Sequence, residues 1–213
     1  MDYLAFRKKA QNYPLFKVED VFKWFPKANR KGTLNQLNLW VKKGYLERIS
    51  KGIYRLAEAE ISDPFILASF LYGPSYITLE SALNAYGIIP DIPFSTTSVA
   101  LPKTKIFRTK NNGSFFYHHA KPGLFFGFHT ASTPSSAYHH YAYRIATPEK
   151  ALFDYFYFRA KKVKNAAAFL EEMRLSLPKT FRADQLRKWS KLVSPKMKTF
   201  HALILALTQK HVK

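Results

Sequence analysis

The chain contains no cysteine, which excludes a disulfide framework, a thiolate zinc site and a cysteine nucleophile, and suits a reducing compartment. Long apolar runs are missing too. The longest, at 65–72 and 202–207, fall well short of the roughly 18 residues that a membrane span needs. The amino terminus, Met1-Asp2-Tyr3-Leu4-Ala5-Phe6-Arg7, lacks an apolar signal core, so neither secretion nor membrane insertion is expected and a cytoplasmic location is. Gly-rich phosphate cradles and a nucleophile elbow are absent: there is no G-x-x-x-x-G-K, G-x-G-x-x-G or G-x-S-x-G. Acids are scarce, with 14 Asp+Glu against 34 Lys+Arg over 213 residues, a formal net charge of +20. What is abundant is apolar and aromatic: 47% hydrophobic and 16% aromatic residues. That supply is enough to bury a core in one long or two short domains, against the ordering entropy that keeps polar chains unfolded.

A field of this sign draws polyanions, nucleic acid first, then acidic membrane surfaces and acidic proteins. Its distribution is uneven. Residues 1–60 carry a net +7, residues 61–144 only +3, and residues 145–213 carry +10. Two basic ends flank a nearly neutral, aromatic middle.

The pattern predicts an α+β protein, with a winged helix-turn-helix over 1–60 and a mixed α+β unit over 61–213, strand-rich at 90–146 and helical at 147–213. In the first unit Val18, Val21, Phe22 and Phe25 fall at helical spacing before Pro26, and Leu34, Leu37, Trp40 and Val41 form a second stripe that Gly44 ends. Segments 45–50 and 53–56, rich in β-prone side chains, flank the turn-forming pair Lys51-Gly52. In the second unit Asp63-Pro64 and Thr147-Pro148-Glu149 read as helix starts, and Thr78 as the cap of a helix with Leu79, Ala82, Leu83 and Tyr86 on one face, closed by Gly87. Asn112-Gly113 before Ser114-Phe115-Phe116-Tyr117-His118 is a hairpin signal. Further helices are expected at 166–175, 183–190 and 195–208.

The helix over 32–43 is the candidate recognition helix. Asn35, Gln36 and Asn38 carry amides able to engage adenine edges, Thr33 a methyl for thymine, and Arg30 and Lys31 charges for phosphate or guanine. Arg48, Lys51 and Arg55 place cations on or beside the adjoining ribbon, within reach of backbone phosphates or a minor groove. Any amphipathic helix presents a polar outer face, and the same scaffold serves for docking protein or RNA, which is the alternative reading. Catalytic constellations are thin, and no enzyme activity, cofactor or metal is expected. Five of the seven histidines, His118, His119, His129, His139 and His140, lie in the aromatic middle, but adjacent residues on a strand point to opposite faces and cannot chelate together. Asp91 with Glu149 and Lys150 resembles a nuclease set only loosely, because Glu149 and Lys150 are adjacent and open a helix; a metal-dependent nuclease is the weakest alternative.

Three segments together resemble a family: 37–54, with Leu37, Trp40, Lys42-Lys43-Gly44-Tyr45-Leu46 and Lys51-Gly52-Ile53-Tyr54; then Ser75-Tyr76-Ile77-Thr78-Leu79-Glu80-Ser81-Ala82-Leu83 closing at Tyr86-Gly87; then Ile145-Ala146-Thr147-Pro148-Glu149-Lys150-Ala151-Leu152-Phe153-Asp154. In order and spacing, over about 15–160, the chain is similar to the AbiEi-type antitoxins of type IV toxin-antitoxin (abortive infection) systems. The resemblance implies a transcriptional repressor that binds inverted repeats of double-stranded DNA in its own promoter, as a monomer or weak dimer. It also implies that the carboxy-terminal unit counters a nucleotidyltransferase-like toxin without a stable complex. In such a protein Thr33, Asn35, Gln36, Lys51 and the basic tail would face DNA. Glu80, Glu149, Lys150 and Asp154 are expected to fix helix ends and ion pairs between the two units.

Overall fold

Apolar spacing and helix caps together account for the elements of the amino-terminal part. The computed structural model describes residues 1–59, 63–132 and 141–210, with the side chain of Lys210 excepted. Asp2 caps α1 (Tyr3–Ala10) by accepting from the Ala5 N–H, and α1 buries Phe6 and Ala10. A two-residue strand, β1 (Phe16–Lys17), leads into α2 (Val18–Trp24), whose Val18 and Val21 are buried. Asn29 then caps α3 (Arg30–Lys42), its Oδ1 accepting from the Gly32 N–H at 2.9 Å. Gly44, at φ 74°, ends α3: its N–H donates to Val41 and the Tyr45 N–H to Trp40. This is a Schellman closure, which a residue with a Cβ resists.

Strands β2 (Leu46–Ser50) and β3 (Ile53–Leu56) follow as an antiparallel hairpin, and β1 pairs on the far side of β3, giving the order β1-β3-β2. The register slips between Arg48 and Ser50, a bulge beside the Lys51-Gly52 turn, where Gly52 has φ 76°. The Val18 N–H donates to the Gly52 carbonyl at 3.0 Å, tying the turn to the start of α2. Neither α1 nor β1 is evident from periodicity. Leu4 of α1 is exposed, and a two-residue strand has no period to read.

Beyond residue 63 lies a six-stranded mixed sheet of order β6-β7-β5-β4-β9-β8. Its strands are β4 (Ser75–Ile77), β5 (Ser95–Ala100), β6 (Lys105–Arg108), β7 (Ser114–His119), β8 (Phe128–Ala131) and β9 (Tyr143–Ala146). Pairs β4/β9 and β5/β7 are parallel and the rest antiparallel. The Asn112-Gly113 signal sits in the loop joining β6 to β7, which pair as a hairpin. The helices that accompany the sheet are α4 (Pro64–Leu71), α5 (Leu79–Ala85), α6 (Pro148–Arg159), α7 (Ala166–Glu172), α8 (Ala183–Ser190) and α9 (Lys198–Lys210). Asp63 and Thr147 cap α4 and α6 with their side chains, as the Pro-bearing starts predict. The chain is therefore a mixed α+β protein with nine helices and two sheets among its described residues.

Two apolar cores result. The smaller gathers Phe6, Phe16, Val21, Leu37, Trp40, Leu46, Tyr54 and Leu56; the larger is built from the six-stranded sheet and its helices, and takes in Leu15, Ile49 and Ile53 from the amino-terminal part. Glu47 of β2 adds a polar link, pairing with Arg55 and accepting from the Asn111 and Asn112 side-chain amides at 3.2 and 3.4 Å.

Candidate nucleic-acid interface

Helix α3 meets the core through Thr33, Leu37 and Trp40, at i, i+4 and i+7, and these are 3%, 0% and 2% exposed. Leu34 is 41% exposed and Val41 half-buried. The inner stripe is therefore turned by about one residue from the predicted one: Thr33, small enough to enter the core, takes the place expected for Leu34. Thr33 consequently lies beneath the helix and cannot present its methyl to a base, which corrects its assignment to the outer face. The signal that separates the two positions is spacing, because Leu37 and Trp40 fix a face that 33 completes and 34 does not.

The remaining candidates stand as follows. Arg30, Lys31, Asn35 and Asn38 of α3 are exposed, the last three opposite the buried stripe and Arg30 one turn ahead of Thr33 at the helix start, and Gln36 is half-buried. The Arg30 guanidinium lies 4.6 Å from the centroid of Phe22 of α2, a cation–π contact that holds it at the helix start. On the hairpin, Arg48 and Lys51 are exposed, with the Arg48 guanidinium 6.0 Å from the Tyr54 ring. Arg55, by contrast, is neutralised by Glu47 at 2.5 Å. Among the described residues no ion pair engages Arg30, Lys31, Arg48 or Lys51. The outer side of α3 and the hairpin thus offer exposed cations and amide groups, with Glu47 of the hairpin already paired to Arg55, an arrangement able to hold phosphate and read base edges.

The segments at 75–87 and 145–154 form something different, a buried polar knot. Lys150 is 0% exposed and its Nζ lies 2.5 Å from Asp154 Oδ1, one turn along α6. The other carboxylate oxygen accepts from the Tyr76 hydroxyl at 2.9 Å and the Thr78 hydroxyl at 2.8 Å. The rings of Phe126 and Phe153 each stand 4.6 Å from the ammonium. Burial pushes Lys150 below the ordinary lysine range and Asp154 above the ordinary carboxylate range, and each charge opposes the shift of the other. With its hydroxyl committed to Asp154, Thr78 makes no side-chain cap on α5, contrary to the expectation from sequence. Thr97 of β5 does so instead: its hydroxyl accepts from the Ser81 N–H at 3.1 Å and donates to the Thr78 carbonyl at 2.8 Å. Glu149 accepts from the Arg182 N–H at 2.9 Å, at the start of α8, and Glu80 pairs with Arg159. These partners all lie within residues 76–182: Asp154 ties α6 to β4 and the start of α5, Glu80 ties α5 to α6, Glu149 ties α6 to the start of α8, and none of these bonds reaches residues 1–60.

Gly127 is fitted against this knot. It has φ 72°, its carbonyl accepts from the Thr147 N–H at 2.9 Å, and a Cβ built on it would stand 3.0 Å from Lys150 Cγ and 3.1 Å from Lys150 Cβ. Gly127→Ala combines a left-handed backbone with a clash against a side chain that Asp154 pins. It is expected to lower stability by about 1–3 kcal/mol. A urea denaturation curve followed by circular dichroism measures it, and an unchanged midpoint would show that Lys150 has room to move.

Of the remaining sequence candidates, His118 is half-buried with its ring 4.8 Å from Phe158, and burial pushes it below the ordinary histidine range. His119 and His129 are exposed, while His139 and His140 lie outside the described residues. Among the described residues no three of His, Asp and Glu come together as a group able to hold a metal, and no helix is long and apolar enough to cross a membrane. Asp91 pairs with Arg174 at 3.2 Å, apart from the bonds that Glu149 and Lys150 make. No family model and no curated protein matches the chain.

Proposed function

We propose that the chain is a sequence-specific double-stranded DNA-binding regulator that reads its site with α3 and braces itself on the backbone with the β2–β3 hairpin. The observation that supports this reading is that Lys31, Asn35 and Asn38 are exposed on the side of α3 away from the core, with Arg30 exposed at its start and Arg48 and Lys51 exposed on the hairpin that packs against it, no ion pair engaging the four cations among the described residues. The order helix, short strand, helix, helix and hairpin, with β1 added to β3, supports a winged-helix reading of residues 1–60. The resemblance to AbiEi-type antitoxins extends the reading. The protein would act in the cytoplasm as a non-enzymatic repressor at inverted repeats in its own promoter, as a monomer or weak dimer, and its carboxy-terminal part would counter a nucleotidyltransferase-like toxin without binding it stably.

Fluorescence anisotropy with promoter DNA and a scrambled duplex tests the core of the proposal. Asn35→Ala should relax base preference by about 1–3 kcal/mol, whereas Lys51→Ala should weaken all duplexes alike and reduce the salt slope by about 1. Equal affinity of the unaltered protein for promoter and scrambled DNA would remove the regulator reading. A second reading, docking of a protein, is favoured by one observation: Leu34, Leu39 and Tyr45, on and just after α3, are 41%, 43% and 43% exposed. Leu39→Ser weakening a retained protein partner in nuclease-treated lysate, with DNA binding unaltered, would select it.

A further inference from the structure

The excess positive charge of residues 145–213 stands well apart in sequence from α3 and the hairpin. Its scarce acids are partly consumed: Glu149 and Asp154 are buried and bonded within the fold. Lysines accordingly dominate what this part shows to water. Three of them, Lys161 of the 3-10 turn Ala160–Lys162 and Lys196 and Lys198 around the start of α9, line a single cavity of about 280 Å³ with no acid in its wall. Segments far apart in sequence meet there because the turn packs on α9. Phe200 forms a fixed floor, 0% exposed and with its ring 5.3 Å from Phe153. Among the described residues no ion pair engages Lys161, Lys162, Lys196 or Lys198. Bringing like charges together without counter-charge is unfavourable for the fold alone and favourable once an anion enters.

We propose that Lys161, Lys196 and Lys198 form a second binding surface, one that holds the phosphates of a nucleic-acid backbone and reads no bases. The phosphodiester backbone is chosen over an acidic protein on charge: three lysine point charges border one small hollow with no acid in its wall, and the apolar groups that line it, Met197 and Phe200, are half-buried and buried. Only the choice of duplex DNA as ligand rests on the reading of α3. Charges on both surfaces would let the protein hold non-specific DNA while α3 samples sequence.

The full chain carrying K161Q, K196Q and K198Q together is compared with the unaltered protein by anisotropy, on promoter and scrambled duplexes from 50 to 200 mM salt. All three side chains are exposed, and removing like charges relieves repulsion, so a thermal midpoint no lower than that of the unaltered protein is expected and checks that the variant folds. The proposal predicts a salt slope shallower by roughly 2–3, at about 0.9 for each phosphate no longer neutralised, on both duplexes, with the ratio of their affinities preserved. An unchanged slope overturns the second surface and leaves α3 as the reader. A shallower slope in a protein that never distinguishes promoter from scrambled DNA supports the second surface and removes the α3 reading. If neither duplex binds the unaltered protein, both fall, and retention of an acidic protein that the triple variant fails to hold would assign the lysines to protein docking instead.

Discussion

Asp154→Ala is expected to destabilise the protein by about 3–5 kcal/mol, the cost of leaving one partner of a buried ion pair without the other. Three groups lose their acceptor at once. The Lys150 ammonium would remain among Phe126, Phe153 and Tyr76, and the Tyr76 and Thr78 hydroxyls would lose the carboxylate oxygen they share. Lys150 can shed its proton, which removes the charge and still leaves a polar amine in apolar surroundings. Lys150→Met combined with Asp154→Leu should cost less than Asp154→Ala alone, since apolar replacement of both partners leaves no orphaned charge. Chemical denaturation of the unaltered protein and both variants decides the matter. A loss under about 1 kcal/mol for Asp154→Ala would mean that water reaches Lys150 and that the knot contributes little.

Trp40→Ala should be comparably severe, about 3–5 kcal/mol, through the cavity left by a buried indole. Trp40 is 2% exposed and joins α3 to α1, its ring centroid 4.7 Å from Phe6 and 5.2 Å from Tyr3. On the proposed reading its removal should also weaken promoter binding, because the outer face of α3 keeps its aim only while the inner face is seated. Thermal unfolding and anisotropy on one preparation separate these effects. Full stability with abolished binding would place Trp40 against DNA, contrary to its burial. Reduced stability with unchanged binding at low temperature would show that α3 holds its position through Leu37 alone.

Much of this architecture is legible in the sequence where one local rule dominates. Gly44 and Gly87 mark helix ends because each closes a Schellman turn at positive φ, and Asp63-Pro64 and Thr147-Pro148 mark starts because cap and ring constraint coincide. The amphipathic stripe of α3 is legible in period but displaced in phase, since Thr33 is tolerated inside and Leu34 outside. Thr78 shows where local reading fails. The residue is a good cap by type, yet Asp154, far along the chain, takes its hydroxyl, and Thr97 supplies the cap from a neighbouring strand. The free cations of Arg30, Lys31, Arg48 and Lys51 are visible as residue types, but that Arg55 is neutralised by Glu47 depends on hairpin register. Lys150 and Asp154 stand four apart on a predicted helix, whereas their complete burial follows only from α6 lying against the sheet.

Glu47 gives the hairpin a mechanical role. Its carboxylate grips Arg55 within the ribbon and at the same time the Asn111 and Asn112 amides from the loop joining β6 to β7. The Arg55 and Glu47 side chains are only 14% and 23% exposed, and hydrogen bonds to a charged group there are worth on the order of 1–3 kcal/mol, enough to bias the resting pose of the ribbon. Through that clasp the ribbon that carries Lys51 is joined by side chains to the rim of the large sheet, and any displacement of the ribbon has to break or carry with it the bonds to Asn111 and Asn112.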